Sequence, residues 1–329
     1  MKRGTVVIAL GGNALAPSGE RPTITNQFRH TRESLAPIVE LARAGWHIAI
    51  VHGNGPQVGD ALARNELSAG EVEPLPLGVL VAETAGWIGY MIQQSLQNAL
   101  DRSNIQRAVI TCITQTIAAA DDPSLGQPTK PIGHTLTPQR SADLVKRGVP
   151  VRAYADGRQR RLAVSPTPIG IVEGEVVSWL VEAGVIVVAA GGGGPPVYRD
   201  PVLRWEGIDA VVDKDRTAAI LGQALGAELL LILTDVDAVY ADYGTPRQRP
   251  IRRLSLPEAR SLLADLPAGS MRPKVEAAIA FVEGGGDRAT IAHLQEGPAA
   301  TCELHQPLPD LDAGRCDLHG HGGAADARG

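Results

Sequence analysis

Three lysines, in a chain that is otherwise poor in lysine, stand at turns where the backbone would hold them in place. Lys130 precedes Pro131, Lys214 stands between two aspartates, and Lys274 follows Pro273. A single lysine in such a place is usually a solvated surface charge. Three of them at rigid positions favour another role, because phosphoryl transfer is catalysed mainly by positioning and by neutralising the charge of the transferred group. The lysines therefore point to an enzyme that handles phosphate.

The two aspartates that flank Lys214 admit several roles. Asp213 and Asp215 could form a catalytic acid pair, bind a metal ion or cap the N-terminus of a helix. We favour a divided role, in which Asp215 orients the lysines and Asp213 caps the helix. Farther along, Asp235 and Asp237 follow an apolar run and could either hold a nucleotide or form a local turn.

Glycine-rich turns follow three short apolar runs, at residues 11–13, 53–55 and 191–194. Such turns let backbone N–H groups approach an anion closely. One turn could serve packing alone, but three together predict a phosphate-binding crevice. The chain has neither the GxxxxGK[ST] phosphate loop nor a complete GxGxxG fingerprint, so we expect neither a P-loop nor a Rossmann protein. His52, beside the second turn, is expected to be a packing residue rather than a base.

The elements that must position these residues are short and continuously apolar, which predicts strands buried on both faces. They cover residues 5–10, 47–51, 185–190 and 229–233, with helical patterns at 26–44, 81–100, 214–225 and 271–283. This alternation predicts an α/β fold in which a mainly parallel sheet lies between helices. Ligands bind beyond the carboxyl ends of such strands, so we expect the turns to line one crevice.

The composition argues against several classes of partner. A net charge of −5 over 329 residues offers no basic field to hold nucleic acid or an anionic membrane. Aromatic residues, at 3%, provide no platform for stacking bases. No apolar stretch has the length of a membrane span or the pattern of a signal peptide, and three cysteines do not make a disulfide framework. We therefore expect a cytoplasmic protein.

A proline-rich segment, residues 118–168, interrupts the alternation and is predicted to be an inserted lobe or lid with a β-ribbon around residues 154–158. The N-terminal part then comprises residues 1–117 and 169–210, and the C-terminal part residues 211–302. Residues 303–329 have no periodicity, which predicts a disordered tail. A zinc site is the weaker interpretation of four residues near this tail, Cys302, His305, Cys316 and His319.

Seven segments, in order, resemble the successive signatures of carbamate kinases, within the amino-acid kinase family. They are VVIALGGNAL, IVHGNGPQVG, GQPTKPIG, AAGGGGPPV, VDKDRTAAILG, LILTDVDAVY and GSMRPKVEAAIAFVEGG. The match runs from about Val6 to Leu294, nearly the whole folded chain. The resemblance implies a three-layer αβα sandwich around a mainly parallel eight-stranded sheet, a protruding subdomain and a homodimer. It also implies that the N-terminal part binds the acceptor and the C-terminal part binds the nucleotide.

The resemblance assigns roles to residues of this chain. Catalytic positions are matched by Lys130, Lys214, Asp215 and Lys274. Positions that resemble the acceptor and phosphoryl cradle are Gly11, Gly12, Asn13, Gly53, Asn54, Gly55, Gly192 and Gly193. Positions that resemble the nucleotide pocket are Asp235, Val236, Tyr240, Met271 and Lys274. No side chain is expected to bind Mg²⁺ directly, because the ion would be held by the nucleotide phosphates.

The activity that the resemblance implies is Mg²⁺-dependent, reversible phosphoryl transfer between ATP and carbamate. In the family it is often run from carbamoyl phosphate and ADP towards ATP, within arginine metabolism. Two departures from the carbamate kinase pattern concern the acceptor. Residues 83–87 stand where these kinases usually have a Ser-Gln-Gly run after an acidic residue, and Arg272 stands where they usually have a small or neutral residue. They leave open a related kinase for another small carboxylate or carbamate-like acceptor. A third hypothesis is a nucleotide-binding sensor without turnover, against which the three retained lysines and Asp215 argue.

Overall fold

We describe residues 4–17, 20–234, 238–266, 271–294 and 301–305 from a computed structural model. The strands in these ranges are β1 (Thr5–Leu10), β2 (His47–His52), β3 (Val109–Thr111), β4 (Thr116–Ala118), β5 (Lys130–Ile132), β6 (Val151–Ala153), β7 (Gln159–Ala163), β8 (Pro168–Ile171), β9 (Ile186–Val188), β10 (Pro196–Asp200), β11 (Arg204–Gly207), β12 (Leu229–Thr234), β13 (Val239–Ala241), β14 (Arg249–Ile251), β15 (Arg253–Ser255), β16 (Arg288–His293) and β17 (Thr301–His305). The helices are α1 (Gly12–Leu15), α2 (Ile24–Glu33), α3 (Ala36–Arg43), α4 (Gly55–Ser68), α5 (Leu77–Arg102), α6 (Pro138–Lys146), α7 (Gly174–Glu182), α8 (Lys214–Ala224), α9 (Leu256–Leu262) and α10 (Met271–Glu283). None of the helices in these ranges is long and apolar enough to cross a lipid bilayer.

The central sheet has eight strands in the order β15-β17-β16-β12-β1-β2-β9-β3. β16 and β17 pair antiparallel, whereas the other neighbouring pairs are parallel. The four strands predicted from the sequence lie side by side as β12, β1, β2 and β9. Because these four run parallel, their carboxyl ends meet at one edge of the sheet.

Side chains of the central strands alternate between two layers of helices. In β1, Val7 and Ala9 pack in the core cluster that includes residues of α7, α8 and α10. Val6, Ile8 and Leu10 pack in a second cluster that includes residues of α3 and α5. All five side chains are buried, as the continuous apolar pattern predicts. The expected three-layer α/β architecture with a mainly parallel sheet is confirmed.

The inserted lobe, residues 118–168, begins and ends on neighbouring strands, where Ala118 of β4 pairs with Pro168 of β8. It contains α6 and a three-stranded sheet in the order β5-β7-β6. β6 and β7 form an antiparallel ribbon, and the Tyr154 N–H donates to the Arg158 carbonyl across its turn at 2.9 Å. The predicted ribbon is confirmed.

The lobe packs against α4. Glu66 of α4 accepts hydrogen bonds from Arg140 of α6 and from Arg161 of β7, the latter at 2.6 Å between Nη1 and Oε1. A Cβ atom added to Gly59 would lie 2.0 Å from Gly133 Cα, so the two backbones touch. These contacts hold the lobe over the helix that begins at the second glycine turn.

Two predicted boundaries are wrong. The single helix expected over residues 26–44 is divided, because α2 ends at Glu33 and α3 begins at Ala36. Pro37 has no N–H to donate within a continuous helix, and its ring would clash with the Glu33 carbonyl. The tail was expected to begin at residue 303, but β17 continues to His305 and pairs with β16. Residues 306–329 lie outside the described ranges.

Candidate active site

A cleft of about 250 Å³ opens at the carboxyl ends of β12, β1, β2 and β9. It is lined by the turns that follow these strands, by β5 and β7 of the inserted lobe, and by the first residues of α8 and α10. The lining residues are Gly11, Gly12, Gly53, Asn54, Gly55, Pro56, Lys130, Pro131, Ile132, Arg160, Gly192, Val211, Val212, Asp213, Lys214, Asp215, Thr234, Pro273 and Lys274. The turns therefore share one crevice, as the sequence predicted.

The glycine turns approach one another too closely to carry side chains. A Cβ atom on Gly53 would lie 2.9 Å from the Gly12 N atom and 3.1 Å from Lys214 Cδ. Gly192 has a φ of +69°, and a Cβ atom there would lie 2.3 Å from Asn54 Nδ2. Glycine is therefore needed at both positions for the close approach, and at Gly192 also for the left-handed backbone. The turns present backbone to the cleft, which lets an anionic group come close.

The three predicted lysines converge on two aspartates. Lys214 Nζ donates to Asp215 Oδ1 at 2.5 Å, and Lys274 Nζ donates to Asp215 Oδ2 at 3.1 Å. Lys130, from the inserted lobe, instead donates to Asp213 Oδ2 at 2.5 Å. The sequence expectation that Asp215 orients the lysines thus applies to two of the three.

Asp213 also caps α8. Its Oδ1 accepts hydrogen bonds from the backbone N–H groups of Asp215 at 3.0 Å and Arg216 at 3.3 Å. A side-chain acceptor at this position satisfies N–H groups that have no partner within the helix. The same carboxylate therefore caps the start of α8 and holds the lysine of the lobe, a second task that the sequence did not reveal.

Charge and burial compete in this cluster. Burial alone would raise the pKa of Asp215, but Lys214 and Lys274 outweigh burial and hold the pKa below its ordinary value. Burial likewise acts to raise the pKa of Asp213, and the ammonium groups of Lys130 and Lys214 reverse that effect. Burial lowers the pKa of Lys214, against the attraction of Asp215, whereas for Lys274 the attraction of Asp215 outweighs burial and the pKa is raised. Both carboxylates are ionised at neutral pH, and the Nζ atoms of three lysines face them.

Arg160 is a residue of the cleft that the sequence analysis missed. It lies in β7, its Nη2 donates to the Gly133 carbonyl at 2.6 Å, and its buried Nε has no hydrogen-bond partner among the described residues. Burial lowers the pKa of its guanidinium group. The available signal was the run Arg158-x-Arg160-Arg161 in the ribbon. Because neighbouring side chains of a strand point to opposite faces, Arg160 and Arg161 must lie on different sides of the ribbon. Arg160 adds a second cation from the lobe.

Asn54 and His52 lie at the second glycine turn. Asn54 lines the cleft, and its Nδ2 donates to Thr84 Oγ1 of α5 at 2.9 Å. His52 is fully buried, with Nδ1 3.0 Å from the Gly53 carbonyl oxygen. Burial lowers the pKa of His52 to about 4, so the ring is neutral at physiological pH. A Cβ atom on Gly191 would lie 2.5 Å from His52 Nε2, so the ring packs behind the third turn, as predicted.

Gly193 supports the third turn without lining the cleft. Its carbonyl accepts hydrogen bonds from the hydroxyl groups of Thr116 at 2.7 Å and Thr217 at 3.1 Å. Its φ is +88°, and a Cβ atom there would lie 2.4 Å from the Val212 carbonyl oxygen. For Asn13 the structure describes the backbone, which lies in α1.

The two sequence departures lie away from the cleft. Glu83 and Trp87 line a different cavity, between α2, α4 and α5, whereas Thr84 of that segment accepts a hydrogen bond from Asn54 of the cleft. Arg272 Nε donates to Glu276 Oε1 at 3.1 Å and is not among the residues that line the cleft. The expectation that these departures alter the acceptor directly is therefore not supported by their positions.

The residues predicted to bind the nucleotide do not all line the cleft. Lys274 lines the cleft, whereas Met271 is buried in the core. The ring of Tyr240, in β13, lies against that of Tyr243 with 6.1 Å between centroids. Asp235 and Val236, and Asp237 after them, lie outside the described ranges. A nucleotide site built from these residues stays a prediction.

Cys302, one of the four residues considered for zinc, packs in the core. Burial raises the pKa of its thiol to about 12, whereas a metal-bound cysteine is a thiolate. His305 lies three residues farther along β17, and residues three apart in a strand face opposite sides. Cys316 and His319 lie outside the described ranges, so zinc binding there stays a prediction.

No group of three His, Cys, Asp or Glu side chains within the described ranges is close enough to hold a metal ion. The two carboxylates that line the cleft, Asp213 and Asp215, already accept hydrogen bonds from lysines. This donor set fits a cation whose ligands are mostly phosphate oxygens, as is usual for Mg²⁺ bound with a nucleotide.

Comparison with known proteins places this geometry in a family. Residues 4–293 match the Amino acid kinase family. The carbamate kinase of Pyrococcus horikoshii is 41% identical over 302 residues, covering 90% of this chain and 95% of that protein. That of Escherichia coli K12 is 42% identical over 306 residues, covering 91% and 98%. The structure of carbamate kinase from Giardia lamblia bound to AMP-PNP is similar, with a TM-score of 0.83 and 34% identity, covering 92% and 99%. The chain is a member of the amino acid kinase family.

Proposed function

We propose that this protein is an ATP:carbamate phosphotransferase. The observation that carries the proposal is the convergence of Lys130, Lys214 and Lys274 on one glycine-lined cleft. The relatives that share about 40% identity over nine-tenths of the chain are carbamate kinases. Because residues 83 and 87 lie in another cavity, the sequence departure there gives little reason to prefer a different acceptor.

In the proposed reaction a carbamate oxygen forms a bond to the γ-phosphorus of ATP while the bond from that phosphorus to the β,γ-bridging oxygen breaks. The electron pair of the broken bond stays with ADP, and no proton needs to move because carbamate is already an oxyanion. Lys214 and Lys274, held by Asp215, would neutralise the oxygens of the transferred group, and Lys130 and Arg160 would do so from the lobe. When bound, Mg²⁺ would neutralise further phosphate charge.

The proposal includes four features that need their own tests. Mg²⁺ is expected to accompany the nucleotide, so activity should be lost in EDTA. A homodimer is expected, and the edge strand β3 carries Ile110, with Ile113 exposed just beyond it. Light scattering after gel filtration would give the mass. A cytoplasmic location and a role in arginine metabolism stay predictions, which fractionation of cells and growth on arginine would check.

The direct test is ATP formation by the purified protein from ADP, Mg²⁺ and carbamoyl phosphate. The Lys214→Ala variant is the control, because it removes one ammonium group from the cleft and should abolish most of the synthesis. Rapid synthesis that depends on Lys214 supports the proposal. Protein that binds nucleotide but forms no ATP would refute carbamate as the acceptor, and would favour another small carboxylate or a sensor.

A further inference from the structure

A second cavity of about 400 Å³ lies between α2, α4 and α5. Cavities that bind small molecules usually have volumes of this order, from roughly 300 to 1,000 Å³. We call it the second cavity. It holds Glu83 and Trp87, two residues of the sequence departure that the proposed reaction does not use.

Aromatic rings form much of its wall. The chain has only two phenylalanines, four tryptophans and five tyrosines, yet one residue of each type lines this cavity. Phe28 and Tyr90 meet edge to face with 6.2 Å between centroids, and Trp87 lies one helical turn from Tyr90. The faces of aromatic rings attract cations, most strongly those that carry little hydration.

A buried amide oxygen in the same wall has no donor. Gln27 Nε2 donates to the Pro22 carbonyl at 3.0 Å, which fixes the orientation of the Gln27 amide. Gln27 Oε1 must then accept from Gln57 Nε2, also at 3.0 Å. Gln57 is 2% exposed, and its Oε1 is left without a hydrogen-bond partner among the described residues. Such an unpaired acceptor is unfavourable in a buried place, and an N–H donor in the cavity would offset its cost.

The charged residues of the cavity favour a cation. Asp60 and Glu83 supply two carboxylates, and Arg64 supplies one guanidinium. His134 approaches Asp60 at 3.5 Å, and that contact raises the pKa of the histidine. Glu83 lines the cavity and is exposed. The long side chain of Arg64 is exposed and can turn towards solvent.

We propose that the second cavity binds a small organic cation that carries N–H donors, such as an alkylguanidinium ion. The rings of Phe28, Trp87 and Tyr90 receive the flat cationic group, and Glu83 neutralises it. An N–H of the ligand supplies the donor that Gln57 Oε1 lacks. The site is separate from phosphoryl transfer, so binding can be measured without turnover.

The test is a titration of the purified full-length protein with methylguanidinium chloride, followed by tryptophan fluorescence at constant ionic strength. Methylurea is the neutral probe of matched shape. We expect saturable binding of methylguanidinium alone, weakened about five- to tenfold by Glu83→Gln. Glu175→Gln, which makes the same charge change at an exposed site on α7, should leave binding unchanged. Gln57→Leu should also weaken binding, because it removes the acceptor.

Three results would overturn the proposal. They are a linear response to methylguanidinium, equal binding of methylurea, and equal affinities of the Glu83→Gln and Glu175→Gln variants. A fourth result would also overturn it, namely that a second copy of the chain covers the cavity. The difference in fluorescence between wild type and Trp87→Phe isolates the signal of Trp87, and protection of that signal from acrylamide quenching would show such a cover. Glu83 is exposed, so its variant remains informative even if Gln57→Leu does not fold.

Discussion

Lys130 and Asp213 join the inserted lobe to the start of α8 through a hydrogen bond of 2.5 Å between Nζ and Oδ2. The two residues are 83 positions apart in the sequence, so only the folded lobe brings them together. The contact places an ammonium group in the cleft in advance, which avoids the cost of moving it during the reaction.

Removing a lysine that faces the transferred group should slow catalysis with little effect on folding. We expect Lys130→Ala and Lys274→Ala each to lower kcat about 10²- to 10³-fold, the usual cost of losing one group that stabilises transition-state charge. Steady-state kinetics in the direction of ATP formation would measure this. Lys146→Ala, an exposed lysine on α6 of the same lobe, is the matched control. Wild-type rates in both variants would refute the assignment of these lysines.

Thr84 is expected to set acceptor affinity through Asn54. Thr84→Val leaves Asn54 Nδ2 without its acceptor in a buried place, so the amide should lose its orientation. We expect the KM for carbamoyl phosphate to rise about tenfold, whereas Thr84→Ser, which keeps the hydroxyl, stays near wild type. An unchanged KM in Thr84→Val would show that this hydrogen bond does not position the acceptor.

His52 should make stability depend on pH. Its pKa is lowered by burial to about 4 from 6.5, so the unfolded chain takes up a proton at a pH where the folded chain does not. The contribution is complete above pH 6.5 and declines as the pH falls towards 4, by about 3 kcal/mol in total. Urea unfolding of wild type and His52→Asn at pH 7, 5.5 and 4.5 would measure it. The variant should show a weaker decline, and parallel curves would contradict the prediction.

Glu66 should hold the lobe on α4. Its carboxylate accepts from Arg140 and Arg161, so Glu66→Gln leaves two half-buried guanidinium groups without a counter-charge. We expect faster amide exchange in residues 133–163, with strand β1 unchanged, measured by hydrogen exchange and mass spectrometry. Glu40→Gln breaks only an exposed ion pair with Arg43 and serves as the control. Equal exchange in the two variants would mean that the lobe is held by other contacts.

Patterns local in sequence predicted the fold well. Continuous apolar runs placed β1, β2, β9 and β12, because a strand buried on both faces has a distinctive composition. The same logic failed at Pro37, where one proline divides an otherwise helical pattern.

The site was predicted only where the residues stand beside turns. Lys130, Lys214 and Lys274 could be found in this way, because glycine, proline and aspartate mark the backbone around them. Arg160 could not, since its position depends on how β7 folds over the cleft. The separation of Glu83 and Trp87 from the cleft was equally hidden, because it depends on the packing of α2 against α5.

The first turn of α4 lies between two cavities, with Pro56 lining the catalytic cleft and Gln57 lining the second cavity. Neighbouring residues of one helical turn move together, so the two sites share the first turn of α4. Thermodynamic linkage then makes the two effects equal. If a bound cation changes the affinity for the acceptor by some factor, the bound acceptor changes the affinity for the cation by the same factor. Where that factor differs from one, a change in acceptor concentration changes how strongly the protein retains the cation.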